Sequence, residues 1–166
     1  MKNKDSVCGL CRKSIEKGQS IFFFPTLPLG HNLADIRGVL HVACLVSQDA
    51  MRNIGVQLAG MVEQISRASL DATFVARDGN IVSRYRIHEQ KFEVMDFENF
   101  CEIVIPKKVV SHIYNIEPDG FLLLGLDVLH IKEGGLYLQN KGLGSDTYLR
   151  TLSLERLFGL LVQQED

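Results

Sequence analysis

The chain has 166 residues, 46% of them hydrophobic and 23% charged, with a formal net charge of −2. That balance excludes a disordered chain, and the length suits one ordinary domain, or a small one joined to a medium one. No run of about 18 apolar residues occurs, so no transmembrane helix is expected, and the opening MKNKDSVCGLC has no apolar core of the kind a signal peptide needs.

Taken in chain order, the first feature is Cys8-Gly9-Leu10-Cys11, a pair of thiols separated by a two-residue turn, where Gly9 eases the turn by tolerating positive φ. Ile21 to Phe24 reads as a buried strand ended by Pro25. Its three phenylalanines cover a small domain that lacks a large core, or form a docking surface if one face stays open. His31, between Gly30 and Asn32, reads as a loop residue. His41 and Cys44 open a helical stretch, and Met51, Ile54, Leu58, Met61 and Ile65 continue it at steps of three and four. Gly55 and Ala59 form a small-residue face that packs onto the chain's own sheet or onto a second copy.

Thr73–Arg77 and Ile81–Ile87 are strand-like around the hairpin signal Asp78-Gly79-Asn80. Phe92–Met95 extends the sheet. Phe97–Val104 and Val109–Tyr114 are ambiguous between strand and short helix, with a break at Pro106. Phe121–Leu124, Val128–Lys132 and Leu136–Gln139 read as three strands, and Leu152–Val162 as an amphipathic helix. The fold class is therefore α+β, divided into residues 1–48 and 49–166.

The chemistry-bearing pattern is C-x2-C-x29-H-x2-C: Cys8, Cys11, His41 and Cys44. Without an export signal a reducing, cytoplasmic setting is expected, where paired cysteines bind metal or do redox work rather than form structural disulfides. Three sulfurs and an imidazole suit one tetrahedral zinc, and four protein ligands leave no open position for a catalytic water. The redox alternative lacks the preceding strand of a βαβ unit. One structural zinc per chain is the expectation.

Around that pattern, Cys8, Cys11, Ile15, Gly18 and the His41–Cys44–Leu45 end resemble the zinc finger of the poly(ADP-ribose) polymerase type over residues 6–46, a treble-clef finger. Val39 and Leu40 stand where those fingers carry aromatic residues. The resemblance implies one ligand pair on a turn and the other on the first turn of a helix, with one zinc held between them. The order helix, hairpin, strands, helix after it resembles the Roadblock or profilin-like sandwich, a central antiparallel sheet with helices on its faces. That resemblance implies a dimerising scaffold for protein partners.

Charge is split: residues 1–53 carry seven Lys/Arg against four acids, and residues 54–166 eleven against sixteen. Lys4, Arg12, Lys13, Lys17 and Arg37 are the candidates for phosphate contacts if the finger meets nucleic acid. Lys141–Ser145 lacks the order of a phosphate loop. Asp96, Glu98 and Glu102 read as a solvated acidic stretch, and Cys101 as a small hydrophobe. No nucleophile elbow or zinc-protease motif occurs. Three functions follow: a non-enzymatic adaptor or regulator working through protein contacts, with itself as a possible partner; a nucleic-acid binder; or a small-ligand sensor.

Overall fold

Alternation of apolar and polar residues builds most of the molecule as strands, and the turns between them set three separate antiparallel sheets. In the computed structural model, which describes residues 7–27, 29–47 and 52–162, a hairpin of β1 (Ile21–Phe24) and β2 (Gly38–His41) leads into α1 (Val42–Val46). Next come α2 (Arg52–Ala68) and a four-stranded meander, β3 (Ala72–Asp78), β4 (Ile81–Arg86), β5 (Lys91–Asp96) and β6 (Cys101–Pro106). A 3-10 turn (Lys107–Val109) and α3 (Val110–Ile113) connect it to the second meander, β7 (Phe121–Leu123), β8 (Asp127–Lys132), β9 (Gly135–Asn140) and β10 (Ser145–Tyr148). The last element is α4 (Leu154–Gly159), capped by the Ser153 hydroxyl on the Arg156 N–H.

The α+β class stands. The strands after α2 form two four-stranded meanders, where the sequence suggested one central sheet. Period-2 alternation explains the layering. In the first meander Ile81, Val94, Ile103 and Ile105 point to a core shared with Leu129, Leu136 and Leu138 of the second, closed by Ile113 and Leu157. The Ser83 hydroxyl donates to the Leu160 carbonyl and ties α4 to that layer. Val82, Phe74 and Met95 point the other way and pack against α2 and the N-terminal hairpin.

On α2, Ile54, Leu58 and Ala59 are buried. Gly55 lies so close to the β5–β6 turn that an added Cβ would meet the Phe97 carbonyl oxygen at 2.7 Å. The small-residue face therefore packs within the chain. The apolar stripe departs from expectation at its end: Ile65 is 53% exposed, and the inward face continues through Val62 and Ser66. Met51 and the boundary after residue 48 lie outside the described residues. The helix opened at His41 does not run through as one piece: α1 ends at Val46, where the Ser47 hydroxyl donates to the Cys44 carbonyl at 3.2 Å.

The ambiguous region resolves into β6 and α3. Asp96, expected on a solvated stretch, is fully buried. Its carboxylate accepts the N–H groups of Glu98 and Asn99, each at 2.9 Å, and the Asn99 amide at 2.6 Å, so it shapes the turn from inside. Burial raises its pKa and outweighs those bonds, which lower it. No helix among the described residues is long and apolar enough to cross a membrane.

Candidate metal centre

Backbone hydrogen bonds build the first half of the site. The Cys8 N–H donates to the Lys13 carbonyl at 2.9 Å, the Arg12 N–H returns to the Cys8 carbonyl at 3.0 Å, and Val7 bridges Ser14. The closed loop turns both sulfurs to one side. The Gly9 N–H donates to the Val39 carbonyl at 3.0 Å and pins the loop on β2. A Cβ at Gly9 would stand 2.4 Å from the Arg37 carbonyl oxygen. The reason for glycine there is close approach, not the positive φ expected from sequence; Arg12 holds that conformation, at φ 60°.

Strand β2 delivers His41 as its last residue, and the first turn of α1 delivers Cys44. His41 occupies the N-cap position of α1 yet makes no side-chain cap bond, because its imidazole faces the thiols. Nδ1 lies 3.4 Å from Cys11 Sγ and 3.8 Å from Cys44 Sγ. One ligand atom from each of Cys8, Cys11, His41 and Cys44 falls within 4.8 Å of the other three.

Those separations fit a metal. Zn–S bonds of about 2.3 Å and Zn–N of about 2.0–2.1 Å place tetrahedral donors about 3.5–3.8 Å apart. The donor set is three thiols and an imidazole, with Cys8 and His41 buried, Cys44 half-buried and Cys11 exposed. Converging thiolates repel one another, so a cation at the centre would favour their ionised form. For Cys8, burial opposes the thiolate, but the N–H groups of Cys11, His41 and Leu10 outweigh it and lower the pKa to about 6. For Cys44, burial and the neighbouring Cys11 and Cys8 sulfurs push it up to about 11. The group can thus hold one metal ion, and four protein donors fill a tetrahedral sphere.

The centre is anchored in a core larger than the hairpin. Cys8, Phe24, Leu40 and Leu45 share one buried cluster with Ile54, Leu58, Val82, Phe97 and Phe100. Phe22 meets Phe24, Phe97 and Phe100 edge-on at 5.6 to 6.4 Å, while Phe23 is 68% exposed.

Of the other sequence candidates, Arg12, Lys13, Lys17 and Arg37 are exposed; Lys4 lies outside the described residues. Arg12 and Lys13 flank Cys11, and the Gly18 N–H donates to the Leu143 carbonyl at 3.2 Å, which brings the Lys17 turn to the β9–β10 turn. The Arg37 backbone lies against Gly9 of the knuckle, and its side-chain Nε donates to the Ala34 carbonyl at 3.0 Å. His31 accepts the Leu33 N–H in a loop, as expected. Sequence reasoning passed over Tyr148 and Arg150, which line a cleft beside the metal ligands. Their signal was weak, because β10 is four residues long and polar at three of them, Ser145, Asp146 and Thr147. No protein-family model, characterised protein or solved structure matches the chain.

Proposed function

We propose that the chain is a non-enzymatic, zinc-binding adaptor or regulatory protein that acts through protein–protein contacts. The observation that carries this reading is the four-donor Cys8, Cys11, His41, Cys44 group embedded in a core shared with the β5–β6 turn. A zinc there is structural: its sphere is filled by protein, and its loss releases the packing of Phe22 and Leu40. The knuckle, the β1–β2 hairpin and α1 support reading residues 6–46 as a treble-clef finger. The Roadblock likeness rests on α2 and the β3–β4 hairpin, and supports a scaffold role in the cytoplasm with a protein partner or a second copy.

Exposed Phe121, Leu123 and Leu126 favour such contacts, because apolar side chains left in water at a sheet edge gain by being covered. Native mass spectrometry of the untagged chain, before and after a strong chelator, tests the reading. The expected result is one zinc per chain, a dimer or a co-purifying protein, and loss of fold on chelation. A strict monomer that carries no protein counts against the adaptor role, and a chain that purifies without metal overturns the zinc assignment.

A further inference from the structure

A cleft of about 660 Å³ separates the metal centre from the edge of the second meander. One wall is Cys11, His41, Val42 and Val46; the other is Tyr148 and Arg150. Its volume is that of sites that enclose a small organic molecule.

The charges in the cleft are unevenly spoken for. Glu98 lines it, but both its oxygens are held by Arg156, at 3.0 and 3.1 Å. Asp146 lines it as well and is paired with His130 Nε2 at 2.9 Å. Lys13 and Arg150 line it with no carboxylate partner among the described residues. A zinc with three thiolates brings about one negative charge, and Asp146 keeps its own because His130 is charged only when protonated, so the lining as a whole is near neutral and Lys13 and Arg150 are the places in it where an anion would be held.

The aromatic wall is held in place. Tyr148 pairs with Tyr137 in the sheet register, and the rings stack at 4.9 Å with 27° between planes. Tyr137 in turn stacks on His130 at 5.4 Å. Strand β10 is the edge of its sheet, no further strand among the described residues covers Tyr148, and that residue is 46% exposed. A stacked, half-exposed aromatic ring lining the same cleft as two cations without a carboxylate partner among the described residues, and as the apolar Val42 and Val46, is a pairing of stacking surface and anion site.

We propose that this cleft binds a nucleotide unit, a planar base against Tyr148 with its phosphate at Lys13 and Arg150. Base stacking on an aromatic side chain and phosphate pairing with Lys/Arg are the two terms of single-strand recognition, and a free nucleotide offers the same chemistry. An acidic peptide would satisfy the cations but brings no π-face for Tyr148. The inference goes beyond the adaptor reading and stands or falls separately from it.

The test uses the full zinc-loaded chain, with AMP, UMP, inorganic phosphate, octauridylate RNA and hexaglutamate as probes, by calorimetry and anisotropy at low salt. The expected result is saturable binding of a nucleotide or the RNA. Tyr148→Ala should weaken it about 5- to 100-fold, the range that loss of one stacked base gives, while Tyr148→Phe preserves it. Arg150→Glu should weaken it at least about 5-fold and flatten its salt dependence. Exposed Lys108→Ala, remote from the cleft, should change nothing. Mononucleotide binding with this sensitivity identifies a free nucleotide as the ligand; RNA binding alone, with the same sensitivity, identifies a single strand. Absence of binding, equal binding by inorganic phosphate, preference for hexaglutamate, or affinity indifferent to Tyr148→Ala and Arg150→Glu in folded variants would each overturn the proposal.

Discussion

The Sγ of Cys8 accepts the backbone N–H of His41 at 3.3 Å, although the residues stand 33 apart in the chain. One metal ligand is thus tuned by the backbone that delivers another, and this bond is among those that bring the Cys8 thiol down to about 6.

Zinc competes with protons for each thiolate. Loading at neutral pH must displace the proton of Cys44, whose pKa is raised to about 11, and below pH about 6 that of Cys8 as well. Zinc affinity should therefore rise with pH throughout and fall more steeply below about 6. In the metal-free chain the lowered Cys8 pKa stabilises the fold above its ordinary value of 9.0, and that contribution fades as pH falls to about 6. Chelator competition from acid to mildly alkaline pH checks the first statement; a flat profile would contradict it.

Gly9→Ala should destabilise the chain by about 1–3 kcal/mol, the usual cost of overpacking, because its Cβ would stand 2.4 Å from the Arg37 carbonyl oxygen. The knuckle must then lift from β2, so zinc affinity should fall in step. Urea unfolding and chelator competition on the same variant measure both; an unchanged midpoint would show that the loop moves freely.

Arg156 clamps two turns to α4. It bonds Asp78 through Nε at 2.6 Å, both oxygens of Glu98, and the Thr151 carbonyl at 2.7 Å. Arg156→Met should cost about 1–3 kcal/mol, charged hydrogen bonds discounted for the solvent around half-exposed Asp78. The Arg156 guanidinium lowers the Asp78 pKa, and for Glu98 it outweighs burial to the same effect. Lowered carboxylates stabilise above their unfolded pKa and lose that contribution as pH falls through the folded value. The melting difference between wild type and variant should thus be full near neutrality and shrink below pH about 4. A constant difference across that range would assign the effect to packing.

Phe22→Ala should cost about 2 kcal/mol, less than a fully buried phenylalanine, because the ring is only half-buried. It should also uncouple the metal centre from the sheet, since Phe22 touches both Phe97 and Phe100. Hydrogen exchange with and without chelator reads the coupling. In the wild type zinc removal should expose amides of the β5–β6 turn, and in the variant only those of the hairpin and α1.

Much of the secondary structure was legible because alternation and turn chemistry are local. Ile81–Ile87 and Phe92–Met95 were strand-like in sequence and fall within a residue of β4 and inside β5, and the β3–β4 hairpin announces itself by its Asp-Gly-Asn turn. Strand β10 was missed: Ser145–Tyr148 has too few apolar positions to show a period, and pairing with β9 makes it a strand. Asp96 was misread because a carboxylate in sequence looks solvated; only the turn that folds over it supplies the donors that let it be buried.

The sequence by itself determined the candidate metal donors, which the fold brings together, and most strands, because ligand spacing and side-chain period are written in neighbouring residues. Tertiary structure alone decided that the strands part into two meanders, that Gly9 is needed for the close approach of the Arg37 carbonyl just before β2, and that Lys13, Tyr148 and Arg150 line one cleft. Each of those depends on contacts between segments far apart in the chain, set by shared burial and backbone pairing, which no local pattern encodes.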